Sequence, residues 1–207
     1  MPSSFDPLWH APGTGLLAQM RAAMAQRQAH PARTVVLLPY AQLMPLAQRF
    51  WAQAAPDGFA PRFESTLNWS HGLGGVVVGA HDLRFDTAMD MLQAPVLLES
   101  AGLGAQREAL SARLVEAAHQ LAPLAAAVPP AQRADWAVQA RNAVALGMEA
   151  PVLALECVVA RIALEWAAAS AYATDVLWSP SVPAALDCII VLDGFQTEPL
   201  VEALCRN

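Results

Sequence analysis

A chain of 207 residues, 56% hydrophobic and 14% charged with a mean hydropathy of +0.34, is long enough to bury one large core or two small ones. Much of the apolar fraction is Ala, and the longest apolar region, Val144 to Ala173, is broken by Glu149, Glu156, Arg161 and Glu165, so no segment offers the roughly 20 uncharged residues of a spanning helix. The net charge is −6 and all twelve basic residues are Arg, which excludes a GxxxxGK[ST] phosphate loop for want of its Lys and speaks against a broad phosphate-binding surface.

The N-terminal MPSSFDPLWHAPG lacks a basic start followed by an apolar run, so no signal peptide is read and a cytoplasmic location is expected. Cys157, Cys188 and Cys205 lie far apart in apolar contexts, as reduced thiols do, and the five histidines are scattered. Neither a disulfide framework nor a metal site is expected, and no cofactor motif stands out.

Along the chain, Leu16 to Gln28 has helical periodicity with Leu16, Met20, Ala23 and Met24 on one stripe, ended by His30-Pro31. TVVLLP, Thr34 to Pro39, is an apolar run without polar alternation, which suits a strand buried on both faces of a parallel sheet. A helix follows from Tyr40 to Ala54, then a turn at Pro56-Asp57-Gly58 and a short strand at Pro61 to Ser65. GGVVVGA, Gly74 to Ala80, reads either as a third strand or as a Gly-flanked connection. Helices are expected at Arg84–Gln93, Gln106–Ala127, Ala131–Met148 and Val152–Thr174, with Pro123 kinking or shortening the second. After the Pro-rich loop Ser179 to Asp187, CIIVL is a second doubly buried strand, and Glu198 to Arg206 begins a helix. Two such strands separated by mostly helix imply one parallel sheet with a helical insertion. The expected organisation is therefore α/β core over residues 1–83, a helical subdomain over 84–178, and a return to the core over 179–207.

Three stretches invite a chemical reading. In WHAPGTGLLAQM, Gly13-Thr14-Gly15 opens a helix in outline like a phosphate-binding turn, but it is too short and has no Lys; a turn capped by Thr14 accounts for it better. At the end of the first strand, Tyr40 and Gln42 stand where open α/β sheets bind ligands. Tyr40 can stack on a base and Gln42 can bond to a base or phosphate, or Tyr40 can simply pack under a loop. In CIIVLDGFQTEPL, Asp193 at a strand end is placed to hold magnesium through water, but Gly194 stands where hydrolysis needs a catalytic carboxylate. No ATP turnover is expected.

Leu192-Asp193-Gly194-Phe195-Gln196-Thr197 resembles the second motif of superfamily I helicases of the UvrD/RecB type, a strand followed by Asp-Glu-Phe-Gln-Asp-Thr. It is closer still to the variant in the AddB subunit of bacterial helicase–nucleases, a strand, then Asp-Gly-Phe, then a Thr-Pro-Leu-like helix start. VVLLPYAQLMPLAQRFW with GFAPRFESTLNW, Gly58 to Trp69, looks like the AddB segment after its first helix. The GTG turn falls where a P-loop would be, and the helical middle where these helicases insert a helical subdomain. The resemblance covers nearly the whole chain. It implies a P-loop-NTPase-like core with a large helical insertion, inactivated as a motor, with Gly13, Thr14, Gly15, Asp193, Gly194 and Gln196 as remnants of the nucleotide site. It also implies a role in double-strand-break repair, with single-stranded DNA or a duplex end as ligand, Tyr40, Gln42, Asn68 and Trp69 as candidate contacts, and a helicase–nuclease subunit as partner. Members of that family continue into a second helicase-like half and a nuclease, so the sequence is expected to be part of a longer protein. The alternatives are a stand-alone α/β small-molecule-binding protein, and a helical partner-binding module with Trp136, Trp166 and Trp178 as interface anchors or as ordinary core.

Overall fold

The computed structural model describes residues 6–145, 153–192 and 198–206. The chain divides into two compact units, Met1–Leu73 with Ser179–Thr197, and Gly74–Trp178 with Glu198–Asn207. The first is α/β, with a small parallel sheet; the second is helical. The division falls ten residues before the boundary expected at 83/84, and the final helix groups with the helical unit.

The α/β unit begins with the short helix α1 (Asp6–His10) and then α2 (Leu16–Gln26). Strand β1 (Thr34–Leu37) follows, then α3 (Met44–Ala54), β2 (Arg62–Glu64), α4 (Thr66–Gly72), and, after the helical unit, β3 (Cys188–Val191). All pairings are parallel and the strand order is β2-β1-β3. β1 is central and wholly buried, as its unalternating apolar sequence demands. Val36 and Leu38 pack with Met20 and Met24 of α2, Phe50 and Trp51 of α3, and Phe63. Each such side chain contributes about 1.5–3 kcal/mol of transfer free energy. At the amino edge Asp187 ties the starts of β1 and β3 together. Its carboxylate accepts from the His30 N–H (3.0 Å) and from Arg33 Nε (2.6 Å), while its own N–H donates to the Arg33 carbonyl. The bond from Arg33, followed by that from His30, holds the exposed Asp187 carboxyl below its ordinary range.

The helical unit contains α5 (Thr87–Ser100), α6 (Arg107–Ala126), α7 (Arg133–Ala145) and α8 (Ala154–Ala169). After it the chain forms the short α9 (Ser181–Ala184) in the α/β unit, and α10 (Pro199–Arg206) rejoins the helical unit, packed on α6. Ala118, Ala122 and Ala125 of α6 share a core with Ala163 and Ala167 of α8; these small side chains let the two helices approach closely.

Two pairs of polar side chains are set into this unit. Asp90, in the first turn of α5, accepts from the Arg84 N–H (3.0 Å) and pairs with His119 Nε2 on α6 (2.7 Å). Arg133 is 4% exposed; it pairs with Asp175, donates to the Val128 and Ser170 carbonyls, and lies 5.0 Å over the Tyr172 ring. Tyr172 donates to the Ala167 carbonyl, and burial holds its phenol above the ordinary range.

Two elements differ from the sequence reading, and a third takes one of the two forms that reading allowed. GGVVVGA is a connection: Gly74 and Gly75 adopt positive φ (103° and 55°), and Val77 is 92% exposed. α5 runs seven residues past Gln93, straight through Pro95, because Ala94 and Leu98 are wholly buried and their packing outweighs the lost backbone bond. Pro123 likewise sits inside the last turn of α6, which continues to Ala126. Among the described residues no helix is long and apolar enough to cross a membrane.

Candidate functional site

β1 and β3 run side by side in register from Thr34↔Cys188 to Leu37↔Val191, so both release the chain at the same edge. β1 passes through α3 to β2 on one side, and β3 is added on the other. In open α/β sheets with this order the ligand crevice lies outside the carboxyl ends of the first and third strands. Backbone pairing closes the base of that edge: the Leu38 N–H donates to the Glu64 carbonyl (2.8 Å) and the Leu192 N–H to the Leu37 carbonyl (2.9 Å).

Beyond Leu38 the chain surfaces. Pro39 is half-buried, Tyr40 is 52% exposed, and Ala41–Leu43 form a 3₁₀ turn closed by Leu43 N–H to the Tyr40 carbonyl (3.0 Å). Gln42 is exposed on that turn. At the neighbouring strand end Ser65 caps α4 by accepting from the Asn68 N–H (3.3 Å), and the Asn68 amide donates to Met44 Sδ at the start of α3 (3.3 Å). Tyr40 and Gln42 thus stand on the connection that leaves β1, and Asn68 in the first turn of the helix that follows β2, beyond the same sheet edge. Their exposed aromatic ring and amides can stack on and hydrogen-bond a flat heteroaromatic group.

Trp69 does not join them. It is 2% exposed, and its indole N–H has no partner among the described residues. Thr66, Trp69 and Ser70 follow i, i+3, i+4 spacing, which puts them on the inward face of α4; that spacing was the signal in the sequence. Asp193, Gly194 and Gln196 lie outside the described residues.

Glu64 is a member of the edge that the sequence reading passed over. It ends β2 opposite Leu37, and burial raises its carboxyl above the ordinary range, partly offset by Arg62. Its position directly before the Ser-capped helix, in FEST, marks a strand end.

The GTG turn has a different construction from the one expected. Gly13 takes φ +73°, and Gly15, not Thr14, is the N-cap of α2, without any side-chain cap. Gln19 instead reaches back to donate to the Thr14 carbonyl (2.6 Å). The Gly15 N–H is committed to the Ala11 carbonyl (2.7 Å), and a Cβ on Gly15 would lie 2.7 Å from both Ala11 N and Trp9 O. The glycine therefore serves a tight chain crossing, and its N–H is not presented to an anion.

Comparison of the chain with protein-family models, curated proteins and solved structures finds no match in any of the three. Among the described residues no three His, Cys, Asp or Glu side chains come together as a metal site. Arg62 starts β2, at the far end of that strand from this edge, and the chain has no lysine.

Proposed function

We propose that this chain is an inactivated helicase-like domain of a cytoplasmic AddB-type double-strand-break repair protein. It engages single-stranded DNA or a duplex end and contacts a helicase–nuclease partner subunit without hydrolysing ATP. The observation that carries the reading is the pairing of β1 with β3. It brings the strand that leads into Asp193-Gly194-Phe195-Gln196-Thr197 beside the one that leads into Tyr40 and Gln42, with the helical unit inserted between β2 and β3. A P-loop-like core with a helical insertion would have this arrangement, and the missing Lys and the Gly at position 194 account for a core without turnover.

DNA contact through Tyr40 would be stacking, about 1–3 kcal/mol per base, with little phosphate neutralisation and hence a shallow salt dependence. Fluorescence anisotropy with a labelled oligonucleotide and with a blunt duplex tests it. Tyr40→Ala should weaken binding about 5- to 100-fold on that scale. ATP turnover stimulated by DNA and lost in Asp193→Ala would overturn the proposal. The interface-anchor alternative draws little from the indoles: Trp166 is buried and donates to the His81 carbonyl, and Trp178 donates to the Ala126 carbonyl.

A further inference from the structure

The helical unit holds a cleft of about 580 Å³ between α5 and α8, lined by none of the residues of the sheet edge. That volume lies within the range of small-molecule sites. One end is closed by the loop 81–83, which is fixed by three bonds. Trp166 Nε1 donates to the His81 carbonyl (2.9 Å), the Leu83 N–H to Ser170 Oγ (2.9 Å), and the Gly79 N–H to Asp82 Oδ2 (2.7 Å). His81 also meets Gln93 of α5 (3.3 Å). These contacts fasten the loop to Gln93 in the middle of α5 and to Trp166 and Ser170 at the C-terminal end of α8. Arg161 comes about one to two and a half turns of α8 before Trp166 and Ser170, so it stands at the other end of that wall from the loop that carries Asp82 and His81. The eight helical steps from Arg161 to Ala169 separate those ends by about 12 Å along the helix axis. Leu97, Ile162 and Trp166 line the wall between them.

The charges along the cleft are unequal in their engagement. Glu165 is held by Arg141, whereas among the described residues Arg161 forms no ion pair. Asp82 uses one carboxylate oxygen on the Gly79 N–H and keeps the other. A guanidinium at one end, a carboxylate at the other and an apolar stretch between them describe the complement of a zwitterion with an apolar middle. A tripeptide with free termini spans about 10 Å at 3.3–3.6 Å per residue, which matches the cleft.

We propose that this cleft binds short zwitterionic peptides, the carboxylate on Arg161, the ammonium on Asp82, and a central apolar side chain against Leu97 and Ile162. The inference does not rest on the reading of the sheet edge. The probe is Ala-Leu-Ala with free termini, titrated into the full chain by calorimetry, with amide shifts mapped by NMR. Saturable binding with shifts on α5 and α8 is expected. Amidating the peptide's C-terminus, or Arg161→Gln in the protein, should each weaken it about tenfold, the scale of one charge-assisted hydrogen bond. N-acetylation should do likewise, and Ala101→Trp should abolish binding by filling the cleft. Because Arg161 is exposed, its variant should keep the parent melting curve. Absence of binding at millimolar peptide, equal affinity for the acetylated or amidated peptide, or unchanged affinity in the Arg161 variant overturns the proposal.

Discussion

Replacing Arg133 by Met should be among the most damaging single changes in the helical unit, although Met nearly preserves the volume. The guanidinium is buried and serves four acceptor atoms: the Val128 carbonyl (3.3 Å), the Ser170 carbonyl (3.1 Å) and both Asp175 oxygens. The two carbonyls would lose about 1 kcal/mol each. The larger effect is on Asp175, whose side chain is 8% exposed and would keep the Tyr172 N–H (3.1 Å) as its donor. Leaving one partner of a buried pair uncompensated costs about 3–5 kcal/mol in all, and we expect a loss near 4 kcal/mol. That is a large share of the 5–15 kcal/mol that holds an ordinary domain folded. Urea unfolding followed by far-ultraviolet circular dichroism measures it, and hydrogen exchange in α6 to α8 assigns the loss to the helical unit. The double change Arg133→Met with Asp175→Asn should recover most of it, because the charge left behind is removed. A loss below about 1 kcal/mol for Arg133→Met, or a double variant no better than the single one, would refute the reasoning.

Gly15→Ala should destabilise the α/β unit by about 1–3 kcal/mol, since the new Cβ meets backbone atoms that cannot rotate away; thermal melting checks it. Asp187 has its carboxyl lowered in the folded state, so its contribution is present above the unfolded pKa and vanishes as pH falls through the folded one. Asp187→Asn should lower the melting temperature near neutrality, and the two curves should converge at the acid end. Glu64 has the opposite sign: its raised carboxyl penalises the ionised form, so Glu64→Gln should stabilise the protein above the folded pKa and change little in acid. A pH series of melts on both variants reads the two signs together.

The parts of this fold that sequence reveals are those specified by one residue after another. TVVLL and CIIV are apolar without alternation and both are strands, but only the central β1 is covered on both faces; β3, at the sheet edge, is mostly half-buried. What it concealed depends on partners distant in the chain. Asp90 and His119 are 29 residues apart, and Arg133 and Asp175 are 42 apart; nothing local marks them as buried, since a charged residue is ordinarily on the surface. Pro95 misleads for the same reason, because a local helix breaker is overruled by the burial of Ala94 and Leu98 around it.

The same distinction bears on the two candidate sites. Tyr40 and Gln42 were legible because a strand end in an open sheet is exposed by construction, and the structure leaves both on the surface. Trp69 looked equally available in the sequence, yet it lies on the inward face of α4. The cleft in the helical unit had no signature at all. His81, Gln93 and Arg161 come from a loop and two helices, and the loop joins that surface through the bonds that Trp166 and Ser170 make to it at the end of α8. Substituting Ser170 by Ala should therefore act on the cleft before it acts on the core. It removes the acceptor for the Leu83 N–H while vacating little volume, and one orphaned buried donor costs about 1–3 kcal/mol. If Ser170→Ala left both the exchange of the Leu83 amide and peptide affinity unchanged, the loop would be held by something other than these bonds.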